Sequence, residues 1–338
     1  MTFHLQRDNN AKEVTDLKIQ YIAAEDGTSV FSVKGSGSAV FLPEEIAGLP
    51  VREICPYAFS NPEDAASHLP AGSKVQTAEL GRGIPLGEEE RFLGGPLLKE
   101  VRLPSGLRIV GEYAFYNCTA LARITLGPGA ARIGNGAFMN CRMLNEILFT
   151  ASADAPTCLP GLLTEIQCET RVTFRTESDH SVWIFPEYYE ESVENAPAHI
   201  FEHFYHGAGY RYRQCLQGDR LNAEDYDRQF TMAKAEAEPV TLLRIALARL
   251  RYPFRLSNAA EQQYRTYLIE NISAAAQLLI ADDDPEGLAF LASHGVFTRE
   301  SISKAVEAAS RKNRAECLSV LLNEQHNRFS PKEKTFDL

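Results

Sequence analysis

The sequence predicts an α+β repeat protein, a solenoid of stacked coils with a parallel β-sheet followed by an α-helical domain built from helical hairpins. Three observations predict it. Residues 98–149 repeat themselves at a spacing of 23, residues 183–212 are rich in aromatics, and beyond about Glu238 the apolar period becomes helical. The 338 residues are 44% hydrophobic and 23% charged, an ordinary globular mixture that excludes disordered and fibrous classes. Acidic side chains outnumber basic ones 45 to 34, for a net charge of −11. A field of that sign repels phosphate backbones and argues against general nucleic-acid coating.

The repeat is read residue by residue. Leu98 returns as Leu121 and Leu144, Val101 as Ile124 and Ile147, and Leu103 as Leu126 and Phe149. Gly111, Ala114, Phe115, Asn117 and Cys118 return as Gly134, Ala137, Phe138, Asn140 and Cys141. Leu-x-x-Val-x-Leu makes a short strand whose alternate side chains enter the coil, and Pro104 and Gly106 then turn the chain. Ala-Phe returns an aromatic to the same interior. One coil cannot bury its own apolar face, so like coils must stack. The same spacing taken backwards places a worn copy at Val75, Ala78, Leu80, Ile84 and Phe92, with an earlier copy ending in Tyr57-Ala58-Phe59-Ser60-Asn61. A surface loop from Pro62 to Lys74 is expected between them, and a last copy ends at Val172 and Phe174. Thr28–Leu42, turning at Gly35-Ser-Gly37, reads as a hairpin covering the first coil.

Leu103-Pro-Ser-Gly-Leu-Arg-Ile-Val-Gly-Glu-Tyr-Ala-Phe-Tyr-Asn-Cys resembles the repeat unit of the BspA-like leucine-rich repeat family, and Gly48-Leu-Pro-Val-Arg-Glu-Ile is similar to that family's first repeat. The resemblance implies a leucine-rich-repeat solenoid from about residue 40 to 174. It also implies a binding role, since members of the family are commonly secreted or surface-attached binding proteins.

Outward positions of the sheet are the first candidate binding surface. The 23-residue ruler stacks Thr77, Glu100, Arg123 and Glu146 in one column and Glu79, Arg102, Thr125 and Leu148 in the next. Opposite charges one strand apart satisfy each other, so Glu100–Arg123–Glu146 needs no ligand. Cys118 and Cys141 are expected to fill an interior slot.

From Trp183 to Tyr212 nine of thirty residues are aromatic, which predicts a local core or a docking surface. Arg171–Phe174 and Val182–Phe185 predict a hairpin capping the last repeat. Asn195-Ala-Pro197 and Gly207 bracket an expected short helix carrying His199-x-x-Glu202-His203, with His206 extending its face. On such a helix His199 and His203 could share a zinc ion with Glu202 as general base. The preferred expectation is a solvated or packed histidine face with no metal and no cofactor. Tyr210, Arg211, Tyr212 and Arg213 alternate as a single-strand nucleic-acid platform would. The preferred expectation is a seam in which the arginines pair with Glu187, Glu190, Glu191 and Glu194.

The helical end starts with Thr241–Leu250, stopped before Pro253. Asn258 with Glu261 marks the next start, Asp284-Pro285 a third, Thr298 a fourth, and Arg314–His326 forms a fifth helix. A fainter 30-residue repeat matches Ala275 with Ala305, and Leu288 and Leu291 with Leu318 and Leu321, which is similar to an ankyrin-like helical repeat.

The expected organisation is an N-terminal β cap (1–39), leucine-rich repeats (40–175), an aromatic bridge (176–236), a helical domain (237–326) and a tail (327–338). No apolar run is long enough to span a membrane, and the first ten residues lack the apolar core of a signal peptide. The seven cysteines include no C-x-x-C pair, which fits reduced thiols. The expected protein is therefore a cytoplasmic, non-enzymatic scaffold that binds a protein partner. The alternatives are zinc binding or hydrolysis at His199 and His203 and single-strand nucleic-acid binding at Tyr210–Arg213.

Overall fold

A computed structural model describes residues 16–81, 91–129, 132–195 and 199–329. Four sequence expectations lie outside the described residues. They concern Ile84, Pro197, residues 1–15 of the N-terminal cap and residues 330–338 of the tail. The chain divides into two compact units, residues 16–237 and residues 238–329.

The first unit is a solenoid with two parallel sheets. In one, Ala39–Phe41, Glu100–Arg102, Arg123–Leu126, Glu146–Phe149 and Thr170–Arg175 run parallel, and antiparallel His180–Phe185 closes the row. In the other, Gly27–Gly35, Leu49–Ile54, Ile109–Val110 and Arg132–Ile133 run parallel. The inward column Val40, Val101, Ile124, Ile147 and Val172 is wholly buried. Register is set by this column, because a slip of one residue would turn it out to solvent.

The third side of each coil is a tight turn carrying Ala-Phe. Phe59, Phe115 and Phe138 stack in line, with ring centroids 4.8 and 5.0 Å apart. The backbone follows the same ladder: Phe59 N–H donates to Ala114 O and Phe115 N–H to Ala137 O, each at 2.8 Å. At Phe138 the Glu165 carboxylate takes over as acceptor at 2.6 Å and ends the ladder with a side chain. Asn117 and Asn140 have φ of 61° and 65°, the left-handed region that asparagine tolerates better than most residues. Gly111 and Gly134 recur for a different reason. A Cβ on Gly134 would lie 2.5 Å from Glu112 N, and one on Gly111 would lie 2.5 Å from Pro56 N.

Three repeat expectations are corrected. Phe59, not Phe92, lies beneath Phe115, although the two are 56 residues apart, 33 more than one period. The worn copy at Val75–Leu80 is no coil. That strand pairs antiparallel with Leu17–Ala24, and Val75 is exposed. The excursion after Asn61 is longer and more ordered than a loop, opening with a helix, Pro62–Ser67, that the Asn61 side chain caps. The Gly35-Ser-Gly37 turn does not close a hairpin. The cap hairpin is Leu17–Ala24 with Gly27–Gly35, and the chain then crosses to the other sheet at Ala39–Phe41.

At the far end, Thr170–Arg175 and His180–Phe185 form the capping hairpin. A helix absent from the sequence reading, Ala223–Ala233, backs it. Its Tyr226 hydroxyl donates to Ile184 O at 2.6 Å and accepts from Ile184 N–H at 3.0 Å, and its ring meets Trp183 edge-on.

The second unit holds six helices among the described residues: Pro239–Arg251, Asn258–Glu270, Ile272–Ala281, Pro285–Ser293, Arg299–Arg311 and Ala315–Phe329. Ser257, rather than Asn258, caps the second by accepting from Ala260 N–H. The sequence reading missed Ile272–Ala281 as a separate helix. The 30-residue spacing reappears as two helical hairpins whose connecting residues Asp283 and Asn313 both have positive φ, 54° and 53°.

Candidate interaction surface

The outer face of the first sheet keeps part of the expected columns. Arg123 bridges Glu146 at 2.6 Å and Glu100 at 3.2 Å, and the two carboxylates hold its guanidinium above its ordinary range against the opposing cost of burial. Arg102 lies over the Phe41 ring at 5.3 Å. One member of each column changes place: Thr77 and Glu79 belong to the strand paired with Leu17–Ala24 in the other sheet. Thr125 stays in register between Arg102 and Leu148 but is buried, 6% exposed. What remains is a flat face whose charges are largely satisfied within it.

The repeated thiols point inward. Cys118 Sγ donates to Phe59 O at 3.3 Å and Cys141 Sγ to Phe115 O at 3.2 Å, so each thiol binds the preceding coil. Burial pushes the Cys118 thiol up to about 12 and raises that of Cys141 further.

The histidine constellation is not helical. Residues Ile200–His206 form a strand paired antiparallel with Tyr189–Asn195, and His199 sits at the turn with φ of 52°. Successive strand side chains face opposite ways, so Glu202 and His203 lie on opposite faces and His199 is a turn residue. Each imidazole instead meets a glutamate across the hairpin: His199 with Glu194 at 2.5 Å, His203 with Glu190 at 2.6 Å and His206 with Glu191 at 3.1 Å. Among the described residues no group of three or more His, Cys, Asp or Glu could hold a metal ion.

The Tyr-Arg run is corrected too. It forms the short helix Gly209–Arg213, on which Tyr212 is fully buried and Arg213 nearly so. Neither arginine pairs with the glutamates at 187, 190, 191 or 194. Arg211 pairs with Glu236. Arg213 spends its donors on backbone carbonyls: Ile166 at 2.9 and 3.1 Å, Cys168 at 3.0 Å, Pro186 at 2.5 Å and Gly209 at 3.1 Å. Burial lowers its guanidinium to about 10, which leaves it charged at neutral pH, and Tyr188 covers it at 4.8 Å. Tyr210, half-buried, stacks on Tyr205 at 3.8 Å. The run is therefore a bracket that fastens the base of the hairpin, not a nucleic-acid platform.

Above that bracket the hairpin is open to solvent. Tyr189, Ile200 and Phe201 are 58–61% exposed, and Val193, Phe204 and Tyr205 are exposed as well. The aromatic segment was expected to be a local core or a docking surface, but these residues were not singled out because the H-x-x-E-H pattern was read at helical period. The signal that could have found them is a run of Ile, Phe and Tyr, side chains enriched in strands, preceded by the glutamate-rich stretch Tyr189–Asn195. Scattered apolar residues are ordinary on a surface, but Tyr189, Val193, Ile200 and Phe204 share one face of the hairpin, with Phe201 and Tyr205 on the other, and four on one face form a patch of the kind that marks interaction sites.

A chain of stacked coils, sealed at both ends and bearing an exposed aromatic hairpin beside one seal, defines a repeat protein of the solenoid class. Residues 88–155 match the family model described as BspA type leucine rich repeat region (6 copies), and the repeats there are BspA-type leucine-rich repeats. Comparison with curated proteins gives no match, nor does comparison with solved structures. Among the described residues no helix is long and apolar enough to cross a membrane.

Proposed function

We propose that this chain is a non-enzymatic, intracellular scaffold that binds a protein partner, with the hairpin 189–206 as the contact. The exposed aromatic patch on a rigidly fastened base carries this reading. Large aromatics dominate binding energy when a partner desolvates them, and a fixed base lowers the ordering cost of binding. Leucine-rich repeats typically mediate protein interactions, which supports the class of activity. The intracellular placement is supported by seven free cysteines, six of them buried.

The test is affinity capture from the native host with tagged wild-type chain and with a Phe201→Ser/Phe204→Ser variant, whose folding is checked by the fluorescence of Trp183. One or more proteins enriched by the wild type and lost with the variant are expected. No enriched protein would contradict the scaffold reading, and an unchanged set would remove the hairpin from it.

A further inference from the structure

The hairpin has a second property that its aromatics do not explain. Residues 187–206 contain five glutamates (187, 190, 191, 194 and 202) and no lysine or arginine, so its only basic side chains are three histidines. Among the described residues Tyr189–Asn195 pairs with Ile200–His206 alone, leaving one edge of each strand without a ladder partner. A lone two-stranded hairpin is marginal in water, and unpaired edges are templates for another strand.

We infer that the free edge of Tyr189–Asn195 accepts an extended, lysine- or arginine-rich segment of a partner protein as a third strand. This rests on the scaffold reading above and names the chemistry of its partner. Charge selects the occupant and the edge. Tyr189–Asn195 holds Glu190, Glu191 and Glu194, whose side chains keep 32%, 57% and 45% of their surface in solvent despite their histidine contacts. A second copy adding along this edge would bring identical glutamates opposite one another, and like charges directly opposite are destabilising. A basic strand would bring the only permanent cations to the hairpin.

Register gives the pattern. Glu190, Ser192 and Glu194 share one face of the strand, and Tyr189, Glu191 and Val193 share the other. The incoming strand therefore carries basic side chains four residues apart on the first face and apolar or hydroxyl side chains between them. Main-chain hydrogen bonds supply affinity and the alternating side chains supply selectivity, as in other cases of strand addition.

The experiment uses the full chain and three fluorescently labelled ten-residue peptides, read by anisotropy. The first, the alternating peptide, places Lys at every fourth position with Val and Thr between, one has the same composition with all lysines in a block, and one replaces every Lys of the first by Glu. The alternating basic peptide is expected to bind at least tenfold more tightly than the acidic one and about fivefold more tightly than the block peptide. Its affinity should fall as salt rises. Glu190→Gln/Glu194→Gln should weaken it at least fivefold, whereas Glu79→Gln, on another sheet, should not.

Equal binding of acidic and basic peptides, indifference to the double variant, or no binding at low salt would overturn the inference. Block and alternating peptides bound equally would also overturn it, because charge alone would then suffice. Concentration-dependent self-association of the wild type that is lost in Phe201→Ser/Phe204→Ser would assign the surface to a second copy and overturn it too. The scaffold reading fails separately, by capture of no partner. A captured partner lost in the aromatic variant, together with failure of the basic peptide, would sink this inference and leave the scaffold standing.

Discussion

Arg213→Met tests what holds the hairpin's base. The guanidinium makes five hydrogen bonds to four backbone carbonyls, those of residues 166, 168, 186 and 209. Hydrogen bonds to a charged donor contribute about 1.5–3 kcal/mol each, and a buried acceptor left unmade costs about 1–3 kcal/mol. Methionine keeps the apolar stem and removes the cost of burying a charge, which offsets part of that loss. A net destabilisation of about 3–5 kcal/mol is expected. Arg213→Lys keeps the charge but replaces a planar fork of five donors by a compact ammonium with three, so it should recover little of the loss. The only tryptophan of the chain, Trp183, is fully buried in the neighbouring capping hairpin and reports this unit without contribution from the helical one. With a urea slope of about 2–3 kcal/mol/M, the Trp183 midpoint should fall by about 1–2 M. A fall below about 0.3 M, or full recovery in Arg213→Lys, would refute the bracket.

Two further outcomes follow from the coil geometry. Gly134→Ala should destabilise the solenoid by about 1–3 kcal/mol in the same urea titration, because its Cβ would meet the backbone of the preceding coil at 2.5–2.7 Å; a neutral result would mean that the coils are less closely stacked. The thiols should resist alkylation in the folded protein. With Cys55, Cys118 and Cys215 pushed up to about 12 by burial, only about one in ten thousand is thiolate at pH 8. At most one rapid equivalent, at half-buried Cys168, is expected before denaturation and seven after it. Two or more fast equivalents in the folded state would contradict the buried placement.

The coils were legible because stacking demands the same residue at the same place each turn. Val101, Ile124 and Ile147 recur as one buried column, and Gly111 and Gly134 recur where no Cβ fits. Phe92 misled because spacing alone selected it. Phe59 carries the same Tyr-Ala-Phe signature but lies beyond an excursion whose length no period reveals. The histidine motif misled for the opposite reason. Its spacing suits a helix bracketed by Pro197 and Gly207, yet Ile200, Phe201, Phe204 and Tyr205 belong to a strand and find their partner in Tyr189–Asn195. Arg213 was expected to pair with the glutamates of 187–194, since a sequence does not show four carbonyls converging from three separate segments.

The stacking of residues 23 apart builds the solenoid, and one covalent test addresses it. Asn117 and Asn140 lie in equivalent turns, with Asn140 Nδ2 donating to Asn117 Oδ1 at 2.8 Å. Neighbouring coils about 4.8 Å apart fall within the Cα separation that a disulfide tolerates. In Asn117→Cys/Asn140→Cys, mild oxidation followed by peptide mapping should show one new bond linking residues 117 and 140, while each single variant forms none with the buried natural thiols. Failure of the double variant to close that bond while folded, as reported by Trp183, would contradict the stacked solenoid.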